Sequence, residues 1–90
     1  MLFRSVLLFP PYTRPAPRHD VPKRLVIDWL YTAVWNALEL PVTQAPLGLS
    51  ADGLPLGVQI VGGLGQDHVP VAVAAALEQA AGGWVWPRAV

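Results

Sequence analysis

Apolar positions along this 90-residue chain fall into short blocks separated by proline and glycine punctuation. Ser5 to Phe9 is a continuous apolar run closed by Pro10 and Pro11. That pattern predicts a strand covered on both faces, of the kind found in parallel sheets. Pro10 to Pro22 holds five prolines and no periodicity, which predicts an extended loop of polyproline character. From Asp28 onward, Leu30, Val34, Trp35 and Leu38 recur at helical spacing, and Pro41 ends that helix.

Val42 to Leu47 predicts the next strand, with Pro46 near its end. Ser50-Ala51-Asp52-Gly53 is a turn signal, in which Ser accepts from the backbone and Gly takes the positive-φ position. Leu56 to Val61 reads as a second strand, apolar on both faces except for Gln59. Gly62-Gly63-Leu64-Gly65 then leads to Asp67, a natural N-cap, with Pro70 in the first helical turn. Val69, Val73, Ala76, Leu77 and Ala80 share one face of this helix, its alanines permit close approach to a sheet, and Gly82-Gly83 supplies the stop.

Composition changes the picture. Only 13% of the residues are charged, against roughly 25% in typical soluble domains, while 53% are hydrophobic and four are Trp. A domain this short buries only about 60–65% of its unfolded surface, so a free-standing one needs a polar skin. This chain would expose wide apolar patches, which mark missing partners, and reads as a slice of a larger core. Charge is zero overall but uneven: Arg4, Arg14, Arg18, Lys23 and Arg24 precede residue 25 against Asp20 alone. A Pro-rich basic loop of this kind is ordinarily solvated, and no nucleic-acid partner is expected. The chain has no cysteine, hence no disulfide framework and no Cys-based metal site or nucleophile. Val6 to Phe9 is too short for a signal-peptide core, and no eighteen apolar residues run together. Localisation is left open.

Five constellations bear on chemistry. Gly48-Leu49-Ser50-Ala51-Asp52 resembles a nucleophile elbow, but Asp52 stands where the sharp turn requires glycine, and a strand follows instead of a helix. Ser50, Asp52, Asp67, His68, His19 and Asp20 supply the residue types of a triad, yet nothing in their spacing brings them together. Gly63-Leu64-Gly65 sits between strand and helix like a dinucleotide loop, but His68 replaces the third glycine, and Asp67 puts a carboxylate where a pyrophosphate must sit. Pro10-Pro11-Tyr12 and Pro15-Ala16-Pro17 meet neither proline-ligand spacing. Tyr31 and Trp35 lie one helical turn apart, the spacing of a core pair or a pocket wall. No catalytic residue, metal site or cofactor is expected.

The run Leu40-Pro-Val-Thr-Gln-Ala-Pro-Leu-Gly-Leu, then Gly53-Leu-Pro-Leu-Gly-Val-Gln-Ile-Val-Gly, then Asp67 and the alanine-rich helix with Leu77-Glu78, resembles the C-terminal end of the amidase signature family. Tyr31 to Leu38 and Gly82-Gly83-Trp84-Val85-x-Pro87 look most like its fatty-acid amide hydrolase 2 branch. The resemblance implies an α/β/α fold with a mixed sheet, here as strand, Pro-rich loop, helix, β-hairpin and C-terminal helix. It implies an enzyme that cleaves amide C–N bonds with a serine nucleophile, a second serine in a cis peptide and a lysine base. Those residues lie upstream of the matching region, and the only lysine here is Lys23, in the proline loop. The family's acyl channel is bordered by the helix matching Asp28 to Leu38, which makes Tyr31, Thr32 and Trp35 candidate pocket-lining residues.

These readings make residues 1–90 an incomplete C-terminal part of one amidase domain. Its expected partners are the remainder of that domain and, in the parent, a small-molecule amide substrate, with membrane association left open. Where Ser5 stands the family pattern has Asp, and Leu2-Phe3-Arg4-Ser5 is also the translation of the sequencing-adapter stretch CTCTTCCGATCT. Residues 1–5 are therefore expected to be partly artefactual, with Met1 not a natural start. The alternative is a small non-enzymatic module that binds a partner through its Pro-rich basic loop.

Overall fold

The computed structural model describes residues 5–12, 15–18 and 27–87. Arg4, Arg14, His19, Asp20, Lys23, Arg24 and Arg88 lie outside the described residues, so of the basic N-terminal set only Arg18 falls within them. Five elements follow in the expected order: β1 (Leu7–Phe9), α1 (Ile27–Ala37), β2 (Val42–Leu49), β3 (Pro55–Val61) and α2 (His68–Ala81). The strands form one sheet of order β1-β3-β2.

β3 is interior and pairs antiparallel on both sides, Ile60 standing opposite Leu8 of β1 and Thr43 of β2. The parallel, doubly covered strand expected from Ser5–Phe9 is corrected here. β1 starts at Leu7, its pairing is antiparallel, and Leu7 and Leu8 are 48% and 51% exposed. Among the described residues β3 is its one neighbouring strand, and a strand paired on one side is covered less fully than its unbroken apolarity predicts.

The hairpin forms as its turn chemistry dictates. Gly53, at φ 86°, donates its N–H to the Ser50 carbonyl at 2.9 Å, and Leu54 donates its N–H to Ser50 Oγ at 3.2 Å. β2 runs two residues beyond the expected Leu47, because a register shift between Pro46 and Gly48 leaves Leu47 as an extra residue that bends the strand.

α1 does not wait for Pro41. Glu39 adopts φ 57°, its N–H reaches the Asn36 carbonyl at 3.1 Å, and the Leu40 N–H reaches the Trp35 carbonyl at 3.1 Å. This is a Schellman stop with Glu in the left-handed seat that glycine usually fills. α2 ends more conventionally: Gly82, at φ 90°, donates its N–H to the Glu78 carbonyl at 3.0 Å. Its start corrects the expected cap. Asp67 occupies the N-cap position but in helical conformation, with no side-chain cap hydrogen bond.

α2 lies on one face of the β2–β3 hairpin. A Cβ on Gly62 would come within 2.6 and 2.8 Å of the buried Pro70 ring, so this glycine is what lets the helix start so close to the sheet. Alternation then puts Ile60 and Val58, with Thr43 and Ala45 opposite them, on the α2 face. Gln59 and its opposites Gln44 and Phe9 face the other way, toward α1. Gly62→Ala should push α2 off the sheet and cost about 1–3 kcal/mol, read as a lower urea midpoint at unchanged slope. A neutral result would show that the loop relaxes freely.

The buried hydrophobic core among the described residues is small: Ala45, Ile60 and Val61. Large apolar side chains meanwhile stand in solvent, including Leu64 at 70%, Trp84 at 62% and Trp86 at 77% exposed. The low charge content therefore has the structural meaning read from composition, a wide apolar surface.

Candidate functional site

The α1 face of the sheet carries a polar clamp and an aromatic cluster. Gln59 is 4% exposed, and its Nε2 donates to the Pro10 carbonyl at 3.1 Å and to the Tyr31 carbonyl at 3.0 Å. One side-chain amide, using both its protons, thus ties the central strand to the end of β1 and to the second turn of α1. Opposite Gln59, Phe9 meets Tyr31 edge-on at 5.0 Å and Trp35 edge-on at 5.4 Å between ring centroids. Such pairs contribute about 0.5–1.5 kcal/mol beyond the area they bury. Tyr31 and Trp35 are half-buried, and Trp35 Nε1 is shielded from solvent with no hydrogen-bond acceptor among the described residues.

Beside this cluster the sheet face opens into an apolar groove of about 940 Å³, bounded by Pro11, Tyr12, Gln44, Pro46, Leu56 and Trp84 among others. The proline segment forms one wall, and Trp84, returning from the end of α2, forms another.

Of the candidate pocket residues, Tyr31 and Trp35 are brought together through Phe9, while Thr32 is exposed on the same helix. None of the three lines the groove. Ser50 serves the hairpin turn, accepting from the Leu54 N–H. Asp67 and His68 stand exposed at the start of α2. Among the described residues no group of three or more His, Cys, Asp or Glu is placed to hold a metal ion, and no helix is long and apolar enough to cross a membrane. Sequence reasoning misses the clamp role of Gln59. Its signal is present all the same, as the lone polar residue in an otherwise apolar strand.

Comparison with known proteins decides the family. A profile described as Amidase matches residues 2–69. The chain belongs to the amidase family. Fatty-acid amide hydrolase 2 of Homo sapiens is 52% identical over 83 residues, 92% of this chain and 16% of the relative. Fatty-acid amide hydrolase 2-B of Danio rerio is 53% identical over 86 residues, 96% of this chain and again 16% of the relative. Fatty-acid amide hydrolase 2-A, also of Danio rerio, is 52% identical over 83 residues, 92% of this chain and 16% of that protein. No solved structure matches the chain at a significant level. The fatty-acid amide hydrolase 2 branch read from Tyr31–Leu38 and Gly82–Pro87 is thereby supported. The chain spans about a sixth of the length of these branch relatives.

Proposed function

We propose that this chain is the C-terminal scaffold of an amidase-signature hydrolase that cleaves amide C–N bonds, with acyl amides as its substrate class and no catalytic group of its own. The observation that carries the reading is the match over 92% of this chain to 16% of fatty-acid amide hydrolase 2. The wide apolar surface supports it, as a segment that completes its core against the remainder of the domain. Residues 1–90 form an incomplete part of that domain, with residues 1–5 partly artefactual.

Within the parent, α1 borders the acyl channel and offers Tyr31, Thr32 and Trp35 to the substrate. Supporting this is the way Phe9 and Gln59 hold that helix, and the Trp35 Nε1–H, which has no acceptor among the described residues and which a complete site would satisfy.

Amide hydrolysis needs an activated nucleophile and donors aimed at the developing oxyanion. Neither is assembled by Ser50, which is engaged in the hairpin turn. Purified chain incubated with a long-chain primary amide should therefore release no ammonia above a blank. Turnover by the chain alone would overturn the reading. Activity that appears only on addition of the remaining amidase polypeptide would support it.

A further inference from the structure

α1 does not rest on the sheet through its whole apolar stripe. Leu30 and Val34, one helical turn apart, stand exposed. Tyr31 and Trp35 carry its attachment: their rings meet Phe9, and the Tyr31 carbonyl accepts from Gln59 Nε2. Within a helix a carbonyl accepts the N–H four residues ahead, and its second lone pair lets a side-chain donor reach it without opening a turn. The hold on Tyr31 is thus a hold on the helix backbone, which sets where α1 lies whatever rotamers its side chains adopt.

The same nitrogen fixes the other half of the cluster. Its second proton goes to the carbonyl of Pro10, the residue that follows Phe9, and Gln59 is also the cross-strand partner of Phe9. Two donors on one planar amide leave along fixed directions, so the end of β1 and the second turn of α1 are referred to a single rigid group. An apolar side chain would fill the volume without supplying direction. A buried amide with both donors satisfied adds a defined geometry to the packing around it.

We propose that Gln59 is a positioning residue for substrate selectivity: through the Tyr31 carbonyl it holds α1 at the depth at which Tyr31 and Trp35 receive the acyl chain. Gln59 touches no substrate itself and acts through the helix. The inference rests on the reading of α1 as the border of the acyl channel and adds what sets that border. Releasing the clamp lets the Tyr31–Trp35 face shift against Phe9. The chain-dependent part of binding should then weaken, while chemistry at the amide carbon, remote from this segment, proceeds as before.

The test grafts this chain into human fatty-acid amide hydrolase 2 in place of the matching segment and measures kcat and KM for dodecanamide and hexanamide. Gln59→Met keeps the side-chain length and removes both donors. It should lower kcat/KM for dodecanamide about tenfold through KM, with kcat and the hexanamide constants changed by less than about twofold. Gln59→Asn draws the amide back by roughly one bond length, about 1.5 Å, beyond hydrogen-bond reach of at least one carbonyl, and should shift the ratio of the two kcat/KM values the same way. It carries the test if Gln59→Met yields no folded enzyme. Ile60→Val is the control for lost stability, since Ile60 is next in β3 but on the α2 face; it should lower the melting temperature and leave the ratio unaltered. An unchanged ratio in the folded Gln59 variants, a fall in kcat for both amides alike, or an equal shift in Ile60→Val makes the clamp purely structural. Each of these overturns the assignment and leaves the scaffold reading standing. A wild-type graft that hydrolyses neither amide overturns both.

Discussion

Gln59→Glu should be among the most damaging conservative substitutions in this chain. The native amide directs both protons at carbonyl oxygens, those of Pro10 and Tyr31, from a side chain 4% exposed. A carboxylate of nearly the same shape has no proton to give. It would hold a buried negative charge against two carbonyl dipoles, a loss of about 3–5 kcal/mol. A domain of this length is stabilised by only about 5–13 kcal/mol in total, so most of its margin would go. Gln59→Leu removes the donors without adding charge and should cost about 1–3 kcal/mol.

Urea unfolding followed by circular dichroism measures both, and pH separates the two causes. In the folded Gln59→Glu variant the introduced carboxyl is buried and favours its neutral form, so its folded pKa lies above the unfolded one. The variant's stability relative to wild type should therefore be best below the unfolded pKa and lost as pH rises through the folded one. Gln59→Leu should show no such dependence. Equal destabilisation of both variants at every pH would mean that shape, and not proton donation, is what the site requires.

Ile60→Ala is the second large effect. Ile60 has no solvent exposure and sits in the strand that is paired on both sides, between Leu8 and Thr43. Truncation there removes transfer energy and leaves a cavity bounded by a fully paired backbone, which cannot close in; about 2–5 kcal/mol should be lost. Leu7→Ala is the control, since that side chain is already half exposed and should cost less than about 1 kcal/mol in the isolated chain. Parity between the two would show that the described core is not where the stability of the chain resides.

The hairpin is legible in the sequence because every part of its signal is local. Ser50 and Gly53 lie within one turn of each other, and the apolar runs flanking them need only a partner, which the turn itself supplies. The stop of α2 is legible for the same reason, Gly82 being the residue best suited to the left-handed seat it occupies. Sequence pattern assigns the stop of α1 to Pro41 instead, because Glu39 gives no local sign of a left-handed conformation. Asp67 has the type and position of a capping side chain, yet its helical backbone and lack of a cap bond show that position alone does not make a cap.

The candidate site divides along the same line. Helical spacing places Tyr31 and Trp35 on one side of α1, but Phe9, the ring that joins them, comes from a strand far earlier in the chain. The groove likewise gathers Tyr12, Gln44, Leu56 and Trp84 from separate stretches of chain, and no window of sequence holds them together.

By itself, the sequence determined the family, the order of strand, proline segment, helix, hairpin and helix, and the wide apolar surface that goes with its low charge content. These follow from composition, from local motifs and from periodicities a few residues long, which the chain carries whatever its neighbours do. Only the tertiary structure decided that β1 pairs antiparallel beside β3, that Gln59 clamps three segments, and that the β2–β3 register shifts between Pro46 and Gly48. The physical reason is range. Turns and helix stops are set by backbone sterics within a single turn of chain, whereas the direction of a strand, the partner of a buried amide and the register of a pairing depend on groups brought together from distant positions by the packing of the whole chain.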